Sequence, residues 1–135
     1  MNNIWRNIIA VIVGLVIGHT LNYTLFTVGH SMFPIEGIDP NNFEDLKRVM
    51  PTLSFKYFIF PFLAHALGTL AAAWTASLIA KNNKMTFALS MGGVFLLGGI
   101  AAAYMIPAPT WFVVTDLLLA YIPMAWLGGK LSTLK

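Results

Sequence analysis

Apolar residues in this chain run in four long stretches, at about residues 8–28, 55–80, 85–106 and 111–129, with short polar breaks between them. Crossing a hydrocarbon core of roughly 30 Å takes about 20 mostly apolar residues in a helix, and each stretch is of that order. The runs are continuously apolar rather than alternating, which argues against the strands of a barrel. In lipid every backbone polar group must find its partner inside the spanning structure, so helices are the remaining solution. The pattern predicts an all-α, polytopic membrane protein: a single domain over residues 1–135, built as a bundle of four transmembrane helices.

The longest polar break, residues 29–54, carries a pattern of its own. Phe43, Leu46, Val49 and Met50 recur at helical spacing, and Pro51 ends the run. Asp39 suits the N-cap and Pro40 the first helical position. Glu44 and Asp45 come early and Lys47 and Arg48 late, the charge order a helix dipole favours. A short amphipathic helix is therefore expected in this loop, on the outer surface with its apolar edge down. It would serve either as a lid packed on the bundle or as a cover over an outward-facing pocket.

Composition strengthens the membrane reading. Charged residues make up 10% of the chain, against roughly 25% in soluble domains. The first stretch follows Arg6 and has the look of a secretory signal. It is long for one, lacks a small-x-small cleavage site and precedes three further spans, so a retained helix is expected. The chain has no cysteine, which excludes disulfides, thiolate metal sites and thiol catalysis. The net charge of +3 reports orientation rather than nucleic-acid binding. Arg6, Lys81, Lys84, Lys130 and Lys135 fall in the amino terminus, the second loop and the carboxyl terminus; Lys47, Arg48 and Lys56 fall on the other face. Short-loop cations favour the cytoplasmic side, so both termini are expected there.

Small residues mark the expected helix contacts. Gly14 and Gly18 form a small-xxx-small pair in the first span. The second offers Gly68, Ala72 and Ala76, and the third Ala88, Gly92, Gly99 and Ala103, with Gly93, Gly98 and Ala102 beside them. Such positions let backbones approach closely in lipid. The spread around the third span also suggests contact with another subunit through Gly92 and Gly99. Trp5, Tyr57, Trp111 and Trp126 lie near span ends, as interfacial anchors do. Pro61 falls in an early turn of the second span. Pro123 falls inside the fourth and leaves the carbonyl of Leu119 without its usual donor, so a kink is expected there. Spans two and four each run from a polar group through a Trp to a Lys, but their spacings match poorly and a two-plus-two repeat stays open.

Candidate chemistry rests on a few polar groups inside the spans: His19, Asn22, His65 and Asp116. Such groups are costly in lipid and face a bundle interior or water. The expected topology puts His19, His65 and Asp116 in the outer half of the membrane. His19, Asn22, Tyr23, Phe26 and His30 trace one face of the first helix, opening toward the long loop; Asp116, Ala120 and Pro123 share a face of the fourth. Two functions compete for the group: hydrogen bonds that fix helix packing, or a proton-linked or ligand-binding site in a carrier or channel. A metal site is not expected, since helical ligand motifs such as H-x-x-x-H are absent. Nor is a cofactor or an enzyme, since no nucleophile constellation, P-loop or dinucleotide turn appears.

Several strings, among them Gly29-His30-Ser31-Met32-Phe33-Pro34, Leu63-Ala64-His65-Ala66-Leu67-Gly68, Trp111-Phe112-Val113-Val114-Thr115-Asp116-Leu117 and Pro123-Met124-Ala125-Trp126-Leu127-Gly128, resemble small four-span bacterial inner-membrane proteins of unknown function. The resemblance implies a bacterial inner-membrane location and no particular activity. The expectation is a small membrane protein acting in transport or ligand binding. It would be surrounded by lipid and homo-oligomeric, because a four-span protomer offers little interior for a pathway. The alternative is an accessory subunit of a larger membrane complex.

Overall fold

The computed structural model describes residues 3–39 and 41–134, so Pro40 and Lys135 lie outside the described residues. Six α-helices follow in order: α1 (Asn3–Met32), α2 (Phe43–Val49), α3 (Ile59–Ile79), α4 (Lys84–Met105), α5 (Thr110–Leu119) and α6 (Ile122–Thr133). Two 3₁₀ turns, Met50–Thr52 and Phe55–Phe58, lead from α2 into α3. Four helical stretches, Asn3–Met32, Phe55–Ile79, Lys84–Met105 and Thr110–Thr133, are long and apolar enough to cross a membrane. That is the pattern of a multi-pass membrane protein.

The distribution of side-chain size agrees. Among the described residues, ten of the fifteen buried apolar residues are alanines, while Ile4, Trp5, Ile12, Val16, Leu97 and Leu118 are exposed. A water-soluble bundle would bury its large apolar groups. Here they face outward, and the small residues bring the backbones together as packing in lipid demands.

Helix α3 is the centre of the bundle, with α1 on one side and α4 and α6 on the other. Both contacts rest on glycine. A Cβ on Gly18 would lie 2.6 Å from Ala72 Cβ, and one on Gly14 would lie 2.9 Å from the Ala72 carbonyl. Across α3, a Cβ on Gly128 would lie 2.9 Å from the Leu70 carbonyl. Gly92 and Gly99 serve the interior too. A Cβ on Gly92 would lie 2.5 Å from Ala125 Cβ, and one on Gly99 would lie 2.6 Å from Tyr121 Cζ. The expected subunit contact through these two glycines is thus corrected: they bring α4 against the break before α6 and against α6 itself. Gly93 and Gly98 instead meet nothing within 4 Å.

The carboxyl-terminal end of α3 explains why two basic residues cluster there. Lys84 Nζ donates to the carbonyls of Ser77 at 2.7 Å and Ala80 at 2.9 Å, and Arg6 Nε donates to that of Ile79. The last-turn carbonyls, which have no helical partner, are met by positive charge. Thr20, Thr24 and Thr27 donate to carbonyls one turn back on α1, so their hydroxyls need no interhelical partner.

Two local readings of the sequence change. Asn42, not Asp39, caps α2, its side chain accepting from the backbone N–H groups of Glu44 at 3.0 Å and Asp45 at 3.3 Å. Asp39 closes the preceding turn by accepting from Asn41 N. The fourth span breaks between α5 and α6, at Ala120–Tyr121, within one turn before Pro123. Asp116 and Ala120 are buried but Pro123 is exposed, because the break turns α6 away from the face that α5 presents.

Candidate functional site

His65 and Asp116 each stand six residues past the first residue of their helix, α3 and α5. Both helices start at the end of the bundle that carries the long α1–α3 connection. At 1.5 Å per residue the two side chains sit at one level, roughly 9 Å below that end. There they meet. His65 Nδ1 donates to Asp116 Oδ1 at 2.8 Å and to Oδ2 at 3.0 Å. The Tyr121 hydroxyl donates to Oδ2 at 3.1 Å, and the Tyr121 ring stacks on the His65 ring with centroids 5.7 Å apart. A carboxylate only accepts, so the proton of this contact belongs to Nδ1, and Nε2 of a neutral ring is then an acceptor.

The break in the fourth span makes the cluster possible. Ending α5 at Leu119 lets Tyr121 turn back toward Asp116, and Gly99 leaves room for its ring on α4. Sequence reasoning missed Tyr121. The available signal was a hydroxyl-bearing aromatic within a span, two residues before the proline expected to kink it.

Above the cluster lies a cavity of about 160 Å³. Phe26 and Gly29 of α1, Phe33 just after it, Phe60 and Pro61 of α3, Gly99 and Ala103 of α4, and Phe112 and Val113 of α5 form its walls. The long connection supplies Leu46, Met50 and Leu53 to the same lining, so the apolar edge of α2 and its following turn face the cavity. His65 and Asp116 are the polar groups at its deep end. His30, Lys56 and Tyr57 line it nearer the connection. The side chains of His65 and Asp116 are 18% and 6% exposed, so the carboxylate is sealed while the imidazole edge reaches the cavity.

The other sequence candidates go elsewhere. His19 does not join the pair; its ring stacks on Phe95 of α4 with centroids 4.9 Å apart. Asn22 packs against Gly68, where a Cβ would lie 3.1 Å from Asn22 Cβ. Its Oδ1 is buried without a hydrogen-bond partner among the described residues, a costly state for a carbonyl. Tyr23 is exposed, so the polar stripe expected along α1 divides: Phe26 and His30 line the cavity, while His19 and Tyr23 do not. No group of three or more His, Cys, Asp or Glu suited to a metal ion occurs among the described residues. Comparison of the chain with protein-family models, curated proteins and solved structures finds no match.

Proposed function

We propose that this chain is a non-enzymatic, multi-pass protein of a bacterial inner membrane that binds a small ligand from the outer half of the bilayer. One observation carries the reading: an apolar cavity ends on a buried His65–Asp116–Tyr121 cluster and is lined at its other end by the connection containing α2. Mostly apolar walls with a few convergent polar groups are the general form of a ligand site. A group needed only to hold helices together requires no cavity beside it. The cation distribution supports placing the connection outside and both termini inside, and the sequence resemblance supports the bacterial inner membrane.

Substituted cysteines test this, since the chain has no native thiol. Ala103→Cys, in the cavity wall, should react with a water-soluble thiosulfonate added from the side of the connection. Ala101→Cys, exposed on the same helix, should stay protected by lipid. A silent Ala103→Cys would make the cavity dry and closed, and the reading would fall.

A second reading is favoured by one feature. Gly93 and Gly98 of α4 face open space beside exposed Val94 and Leu97, a surface suited to a helix of another copy or of a larger complex. Association and ligand binding are compatible.

A further inference from the structure

The polar groups around the cavity are unequal in what they still have to offer. Asp116 is engaged on both oxygens by His65, and on Oδ2 by Tyr121 as well. It already accepts from two donors inside the bundle, and a carboxylate offers a ligand no donor. Lys56 and His30 are not so engaged. Lys56 Nζ sits 5.1 Å from the centroid of the Tyr57 ring, and His30 stacks on Phe26 at 6.5 Å. Among the described residues neither has a hydrogen bond or a carboxylate partner. Of the connection's acidic residues, Glu44 pairs with Lys47 at 3.6 Å and Asp45 with Arg48 at 3.5 Å, while Glu36 and Asp39 form no ion pair with Lys56 or His30. The cavity therefore offers unmatched positive charge and donors near the connection, and apolar walls between there and His65.

Size narrows the occupant. An apolar protein cavity of about 150 Å³ accommodates a benzene ring, and this one is of similar volume, about 160 Å³. A two-chain lipid does not fit such a space. No arginine lines the cavity, so a phosphate group would lack the forked, two-point partner it favours. A single carboxylate suits one ammonium and one imidazole better. We infer that the cavity takes a small organic acid, its carboxylate held by Lys56 and His30 and its apolar body, about the size of a benzene ring, set among Phe26, Phe60 and Phe112. This inference rests on the reading of the cavity as a ligand site.

The test compares three probes of nearly one shape: 4-fluorobenzoate, 4-fluorobenzyl alcohol and 4-fluorobenzylammonium. Each is titrated at pH 7 against the full chain in phosphatidylcholine nanodiscs, with ¹⁹F line broadening as the readout and empty discs subtracted. The benzoate should bind about fivefold more tightly than the alcohol, the gain expected from a partly exposed charge contact, and the ammonium should bind most weakly. Lys56→Gln should bring the benzoate-to-alcohol ratio to within about twofold, and His30→Leu should lower it further. Alcohol or ammonium binding as tight as the benzoate would overturn the organic-acid inference and leave the ligand site standing. No protein-dependent broadening with any probe would remove both.

Discussion

Asp116 is the residue on which most of the site depends, because two donors converge on it inside the bundle. Asp116→Leu would strand the His65 Nδ1–H and the Tyr121 O–H, at about 1–3 kcal/mol for each buried group left unmatched. Asp116→Asn keeps one acceptor oxygen and should lose less than half as much. Unfolding by denaturant in mild detergent measures the difference; equal losses would mean that the hydrogen bonds contribute little. The asparagine variant separates packing from function as well. It should remain folded yet bind the cavity's ligand differently, since the carboxylate that orients His65 is gone. Gly99 acts on the same group indirectly. A Cβ there would meet the Tyr121 ring, so Gly99→Ala should displace Tyr121 and cost about 1–3 kcal/mol by overpacking. Gly93→Ala, which meets open space, should be neutral or slightly stabilising through its better helix propensity. A similar loss at both glycines would place the α4 contacts on the wrong face.

Helix α2 is held at its start by Asn42, which accepts from two backbone N–H groups. Asn42→Ala should remove about 1 kcal/mol from that short helix and loosen the lining that Leu46 and Met50 provide. Labelling of Ala103→Cys should then become faster. An unchanged rate would show that α2 does not control entry. The two ends of this helix were unequally legible in sequence. Its apolar spacing and its Pro51 stop could be read directly, but Asp39, Asn41 and Asn42 are all capping residue types, and only the course of the preceding turn selects Asn42. Span four shows the same division. Pro123 announces a break, while the direction in which α6 turns, and hence the return of Tyr121 to Asp116, depends on the space left by Gly99 on another helix. Convergence of His65 and Asp116 was readable as shared depth; the exclusion of His19 was not, because it depends on the register of α1 against α3, which sets Phe26 beside His65 and leaves His19 against Phe95.

At the scale of the whole molecule, length and apolar content were enough to locate the four helical stretches long and apolar enough to cross a membrane. Helix order within the bundle was not, for alanine and glycine occur on every span and many pairings satisfy them. Orientation is tested by single cysteines at Asn41 and Asn82, both exposed and at opposite ends. An impermeant reagent outside sealed cells should label Asn41→Cys alone; labelling of both or of Asn82→Cys alone would reverse or refute the assigned topology. The central claim, that the cavity beside His65 is a site to be occupied, is tested most directly by a crystal structure grown from a lipidic mesophase. Water or other non-protein density should lie against His65 between Phe26 and Phe112, with Nδ1 still bonded to Asp116. A cavity filled by its own aromatic side chains, or His65 turned away from Asp116, would contradict it.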